Sequence, residues 1–226
     1  YQVNDSTESP PELELTRKDL GLPEEGFVFC CFNNTYKITP SVFDSWARIL
    51  KSVEHSVFLI YAGKKSAAKD NLLEEIVLRG IDPQRLIFGE SLPRPQYLAR
   101  YRAADLFLDT HPYNAGTTAS DALRMGLPVL TFKGNSYPSR MAASILNSVN
   151  LTELITDTQE DYESLAIELA TNNKKYIKLK SRLNKNLNSA KLFNTFEFAK
   201  NIETAYKTMY EKHHNQIDKD HIYINN

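Results

Sequence analysis

Cysteine is nearly absent: the 226 residues hold two, adjacent at Cys30 and Cys31. Neighbours in an extended strand point to opposite faces, so the pair suits neither a disulfide nor a shared metal, and core thiols fit a reducing cytoplasm. An excess of either charge is also missing. Twenty-seven Lys and Arg stand against 28 Asp and Glu, a net charge of −1, so no global field draws in nucleic acid or an anionic membrane. No apolar run exceeds strand length, which excludes a membrane-spanning helix. The start, YQVNDSTESPPELEL, lacks the basic and apolar regions of a signal peptide. It also lacks an initiator Met, and a piece of a longer chain is expected. Neither a GxGxxG nor a P-loop occurs, which excludes the standard dinucleotide and NTPase sites.

What is present can fill a core, since 42% of the residues are hydrophobic. Residues 1–25, rich in Pro and acids, form an approach segment. FVFCCFN (27–33) is a continuous run of β-formers, as in a strand buried on both faces. The following helix has Thr39 as N-cap, Pro40 at its first position, and Val42, Trp46, Ile49 and Leu50 on one stripe. Strands at 56–62, 85–90, 105–110 and 128–132 then alternate with helices at 64–81, 94–104 and 117–126. Such alternation means right-handed crossovers and a parallel sheet covered on both faces. Residues 26–150 are thus predicted to form a Rossmann-like doubly wound domain. Residues 151–214 read as purely helical, and 215–226 as a flexible tail.

HPYNAGTTASDALRMGLPVLTF (111–132) raises the functional question. Open parallel sheets bind ligands at the carboxyl ends of their strands, where loops lead into helices. Gly116 permits close backbone approach there, and a helix start at Thr117 and Thr118 offers amides, hydroxyls and a partial positive charge to an anion. Asp121 can accept bonds from vicinal hydroxyls such as those of a ribose. Phosphate at the amides and ribose at the acid describe a nucleoside diphosphate. The same residues also fit an ordinary capped helix, and the stretch alone leaves both readings open.

Two further loops lie on that edge. FNNTYKITP (32–40) supplies Lys37 as a point charge for phosphates, with Asn33 or Asn34 as donors. GESLPRPQYLAR (89–100) carries Arg94, Tyr97 and Arg100, an aromatic face with arginines beside it that can stack a base, and Ser91 or Leu92 can read its edge. A solvated lysine and a half-buried tyrosine are the plainer alternatives.

FVFCCFNNTYKITPSVFDSWARIL, LPRPQYLARYRAADLFLDTHPYNAGTTASDALRMGLPVLTF and SRMAASIL resemble the C-terminal catalytic lobe of the O-linked N-acetylglucosamine transferase (SPINDLY-like) family. The similarity runs from about residue 26 to 210. It implies the C-terminal lobe of a GT-B glycosyltransferase, with 1–25 as interlobe linker and 151–214 as a helical extension. It also implies an inverting, metal-independent enzyme that moves a sugar, usually from UDP-N-acetylglucosamine, to Ser or Thr of a protein acceptor. An N-terminal lobe and tetratricopeptide repeats would precede this chain in the same polypeptide. By position, Lys37 matches a lysine on the donor pyrophosphate, the one catalytic assignment. Asn34 matches a Gln near the phosphates, Thr117 and Thr118 the pair on the distal phosphate, and Asp121 the acid on the ribose. Leu92 and Arg94 fall beside the base, and Arg100 matches an arginine near it. Tyr97 and Gly116 replace histidines of animal members, and plant SPINDLY relatives use GDP-fucose, so the sugar stays open.

The resemblance assigns no general base to this chain. His111 fits a structural role as well as a catalytic one, His213, His214 and His221 make no metal site, and DKD (218–220) has no strand before it. The rivals are another two-lobed sugar transferase or epimerase, and a non-catalytic Rossmann-like interaction module.

Overall fold

The computed structural model describes residues 3–63 and 67–224. Lys64, Lys65 and Ser66, which open the helix expected at 64–81, lie outside the described residues, as do the tail's Asn225 and Asn226. Two compact units are present: residues 10–189, and residues 3–9 with 190–224.

The first unit runs β1 (Val28–Cys31), α1 (Pro40–Ser52), β2 (Val57–Tyr61), α2 (Ala67–Leu78), β3 (Leu86–Gly89), α3 (Arg94–Ala99), β4 (Leu106–Leu108), α4 (Thr117–Arg124) and β5 (Val129–Phe132). It continues through α5 (Met141–Ser148), β6 (Ile155–Thr156), α6 (Gln159–Thr171) and α7 (Asn173–Leu187). Among the described residues all five strand pairings are parallel, in the order β3-β2-β1-β4-β5-β6. This is the doubly wound order, and its direction reverses between β1 and β4.

Local chemistry accounts for the elements. Thr39 Oγ1 accepts the Val42 amide at 3.4 Å and Pro40 opens α1, whose Val42, Trp46, Ile49 and Leu50 are all buried. Burying each of those side chains contributes roughly 1.5–3 kcal/mol. Gly126 ends α4 at φ 74°, in the left-handed region where a side chain would be strained. Cys30 and Cys31 are free and buried in the central strand, and burial pushes both thiols up. The indole Nε1 of Trp46 donates to Tyr162 Oη at 3.1 Å, and that hydroxyl donates to the Asp109 carbonyl at 3.0 Å. One buried chain of bonds therefore joins α1, α6 and the end of β4.

Two readings need correction. Residues 151–214 are not purely helical: β6 pairs with β5 through Thr131–Ile155 and Phe132–Thr156, and the Thr156 hydroxyl donates to the Thr131 carbonyl at 3.0 Å. A two-residue strand is too short to show a period of two. The helix expected over 94–104 stops at Ala99 and tightens into a 3-10 turn over Arg100–Ala103.

In the second unit, Asn194 caps α8 (Thr195–His214), accepting the Glu197 amide at 3.0 Å. No residue of α8 is buried, and Phe196, Tyr206, Met209 and Tyr210 are more than half exposed.

Candidate functional site

The strand order decides where the loops meet. β1 and β4 are neighbours whose connections leave in opposite directions, so the chain after Cys31 and the chain after Leu108 flank one crevice at the carboxyl ends of the strands. A cleft of about 400 Å³ opens there. Asn34, Lys37, Leu92, Tyr97, Arg100, Gly116, Thr117 and Thr118 line it, which brings eight of the ten expected site residues together. Phe32, Asn33, Tyr61 and Ser91 complete the wall.

Lys37 ends a short 3-10 turn, Thr35–Lys37. Its ammonium donates to the Asn114 carbonyl at 3.0 Å and sits 3.9 Å above the Tyr113 ring, so the loop after β4 fixes the charge at the cleft wall. An ammonium has three N–H donors, and Asn114 takes one.

Arg100 lines the cleft from the 3-10 turn after α3. It is 3% exposed, with its guanidinium 3.8 Å from the Phe32 ring centre and 4.6 Å from that of Tyr97. Nη1 donates to the Glu90 carbonyl at 3.0 Å, while Nε is buried with no partner. Burial lowers its pKa, the first cause among several. Tyr97 donates to or accepts from Tyr101 across 2.6 Å between hydroxyls, and burial, followed by the nearby Asp121, pushes the Tyr97 phenol up to about 12.

Gly116 caps α4 and its carbonyl accepts the Ser120 amide at 3.1 Å. The positive end of the helix dipole points out of the first turn, at Thr117 and Thr118. The Thr118 hydroxyl donates to Asn33 Oδ1. The Thr118 hydroxyl, expected to face an anion, is therefore engaged inside the protein.

Arg94 and Asp121 lie outside the lining. Asp121 is 1% exposed, and both of its carboxylate oxygens accept from the Arg94 guanidinium, at 2.7 and 2.8 Å. The ribose-binding carboxylate and the base-side arginine of the sequence reading thus hold each other. His111 is also outside; its ring stacks on Phe132 at 4.1 Å, a packing role.

Sequence reasoning passed over Phe32, Tyr61, Tyr101 and Asp109. Asp109 carried a signal, a carboxylate ending the apolar run DLFLDT at the sheet's carboxyl edge. It is fully buried, and burial raises its pKa to about 6 against the hydrogen bonds that hold it down.

The lining of the cleft is cationic. Its charged lining residues, among those described, are Lys37 and Arg100, with no Asp or Glu among them, and a helix N-terminus closes one side. Among the described residues no cluster of three or more His, Cys, Asp or Glu is placed to hold a metal ion. No helix of the described chain is long and apolar enough to cross a membrane.

Known proteins share this frame. A peptide N-acetylglucosaminyltransferase of Caenorhabditis elegans that uses UDP-N-acetylglucosamine is 31% identical over 220 residues, 95% of this chain and 19% of the relative. The probable enzyme of the same name called SEC, from Arabidopsis thaliana, is 31% identical over 94% of this chain and 22% of its own length. A solved structure of a Thermobaculum terrenum O-GlcNAc transferase mutant superposes with a TM-score of 0.78 at 33% identity, covering 89% of this chain and 38% of that one. The chain thus spans about a fifth of the length of the two curated relatives. The fold is that of the C-terminal lobe of a GT-B glycosyltransferase. The sequence model of Glycosyl transferase family 41 matches residues 3–202, nearly the whole chain, and the protein belongs to that family.

Proposed function

We propose that the cleft binds the diphosphate of a nucleotide sugar, and that this chain is the donor-binding half of an inverting protein O-glycosyltransferase. The observation that carries the reading is the charge of the cleft: Lys37 and Arg100 line it, no carboxylate does, and the start of α4 points its dipole inward. A substrate leaving as a diphosphate develops negative charge there. Lys37 and the helix start stabilise it, the work a metal ion does elsewhere, so donor binding survives chelators. The acceptor hydroxyl attacks the anomeric carbon from the opposite face and inverts it. The similarity to UDP-N-acetylglucosamine-dependent peptide transferases favours that donor and Ser or Thr of proteins as acceptor.

In this reading Asp121 takes the ribose hydroxyls by exchanging one or both of its bonds to Arg94, and Tyr97, Arg100 and Leu92 border the base. Turnover requires an N-terminal lobe, and tetratricopeptide repeats present the acceptor. The setting is cytoplasmic, where Cys30 and Cys31 stay reduced.

Calorimetric titration of UDP, and separately GDP, into the chain tests it, with Lys37→Ala and Asp121→Ala alongside. UDP binding weakened by both substitutions supports the reading, and tighter GDP binding transfers it to a guanosine donor. A folded chain that binds neither is a module without a donor site.

A further inference from the structure

Asp109 does not line the cleft and is 2% exposed, yet four donors converge on its carboxylate. Oδ1 accepts the Thr110 amide at 2.8 Å, the Ala115 amide at 2.7 Å and Asn33 Nδ2 at 3.2 Å. Oδ2 accepts the Thr131 hydroxyl at 2.7 Å. Among the described residues no Lys, Arg or His pairs with it. A carboxylate buried without a cation carries a heavy desolvation penalty, which only a full set of hydrogen bonds offsets. A core threonine or asparagine would satisfy β4 at smaller cost, so the question is what the charge holds.

Its donors come from three elements around the crevice. Thr110 and Ala115 are the two ends of the turn that delivers Gly116 to the start of α4. Thr131 is on β5, and Asn33 follows β1. Asn33 does more than donate to Asp109. Its Nδ2 also donates to Thr110 Oγ1 at 2.7 Å, which orients the amide so that Oδ1 faces the Thr118 hydroxyl and accepts from it. The first turn of α4 is therefore tied to the end of β1 by a side-chain chain that begins at Asp109. Fixing donors before the ligand arrives removes the ordering cost from binding.

We propose that Asp109 is a positioning residue for the phosphate side of the cleft: through Asn33 it pins Thr118, and through the Thr110 and Ala115 amides it sets the turn that aims the start of α4. It touches no ligand. The proposal rests on the diphosphate reading of the cleft, since a pinned helix start matters to the ligand only where phosphate sits.

The test compares UDP with uridine on the intact chain, parent and Asp109→Asn, by calorimetry. Uridine carries the base and ribose without the phosphates. Asp109→Asn weakens UDP about tenfold, the loss of one charge-assisted hydrogen bond's worth of order, and leaves uridine within about twofold. In NMR spectra the amide signals of Thr110 and Ala115 shift at the same time. Combined with Thr118→Val, the losses in UDP affinity are less than additive, because both substitutions break one chain of contacts. Should Asp109→Asn not fold, Thr131→Val, which removes only the Oδ2 bond, carries the same comparison. Equal losses for UDP and uridine, or additive losses with Thr118→Val, overturn the pin. A parent that binds no UDP overturns the diphosphate reading and the pin with it, whereas a binding parent with an undisturbed Asp109→Asn variant overturns the pin alone.

Discussion

Arg94 grips both carboxylate oxygens of Asp121 across 27 residues, with Nη1 2.7 Å from Oδ2 and Nη2 2.8 Å from Oδ1. The acid is buried and the arginine side chain is 44% exposed, so the pair sits at the boundary between core and solvent. Bidentate geometry makes it stronger than an ordinary surface ion pair.

The first expectation concerns that pair. Arg94→Ala leaves Asp121 buried without its partner and destabilises the fold by about 1–3 kcal/mol, discounted for Arg94's exposure. Asp121→Ala costs a similar amount, and the double variant costs less than the sum. Chemical denaturation of the four proteins measures this. Additive losses would mean that the two side chains do not interact in solution.

Lys37 should matter to phosphate and to little else. Lys37→Ala weakens UDP by roughly 1.5–3 kcal/mol, about ten- to a hundredfold, and leaves uridine nearly unchanged. Added salt narrows the gap between parent and variant, because the lysine is only partly buried and its charge is screened. Calorimetry at two salt concentrations reads both effects.

The hydroxyl of Tyr162 joins Trp46 to the Asp109 carbonyl inside the core. Tyr162→Phe keeps the ring but strips a buried indole N–H and a buried carbonyl of their shared partner. The expected loss is about 2–3 kcal/mol, within the range for leaving buried polar groups unpaired. A melting temperature equal to the parent's would show that water replaces the hydroxyl.

Asp109 also sets a pH dependence. Its folded pKa, raised by burial to about 6, lies above the 3.8 of a free aspartate carboxyl. Between those values the folded chain takes up a proton that the unfolded chain does not, so this group stabilises the fold as pH falls through the window and loses that contribution as pH rises through 6. Asp105 is raised as well, also by burial first, so the parent alone does not isolate the effect. The difference in melting temperature between parent and Asp109→Asn should therefore grow in the parent's favour from pH 7 to pH 4. A constant difference would place the carboxyl's pKa near that of a solvated acid.

Much of the frame was legible in one dimension. Pro40 behind Thr39, the run at 28–31 and the glycine after α4 act within a few residues, and each does in the structure what its chemistry requires. Eight of the candidate residues line one cleft for the same reason, since a loop that follows a strand and opens a helix must face the sheet's carboxyl edge. The misses have a common cause. β6 contains two residues, too few for any period, and exists because Thr131 and Phe132 offer it a ladder. The helix at 94–104 tightens at Arg100, which is held by Phe32, Tyr97 and the Glu90 carbonyl instead of by a continuing helical face.

The two aspartates draw the line most sharply. Both Asp109 and Asp121 stand in the sequence near the same loop, and composition cannot tell them apart. Residue order alone determined the alternation of strands and helices, the helix caps and the edge at which the loops gather, because those depend on neighbours a few positions away. Only the tertiary structure decided that Asp121 meets a guanidinium while Asp109 meets amides and hydroxyls, because their partners arrive from 27 and up to 76 residues away and are sorted by burial, not by spacing.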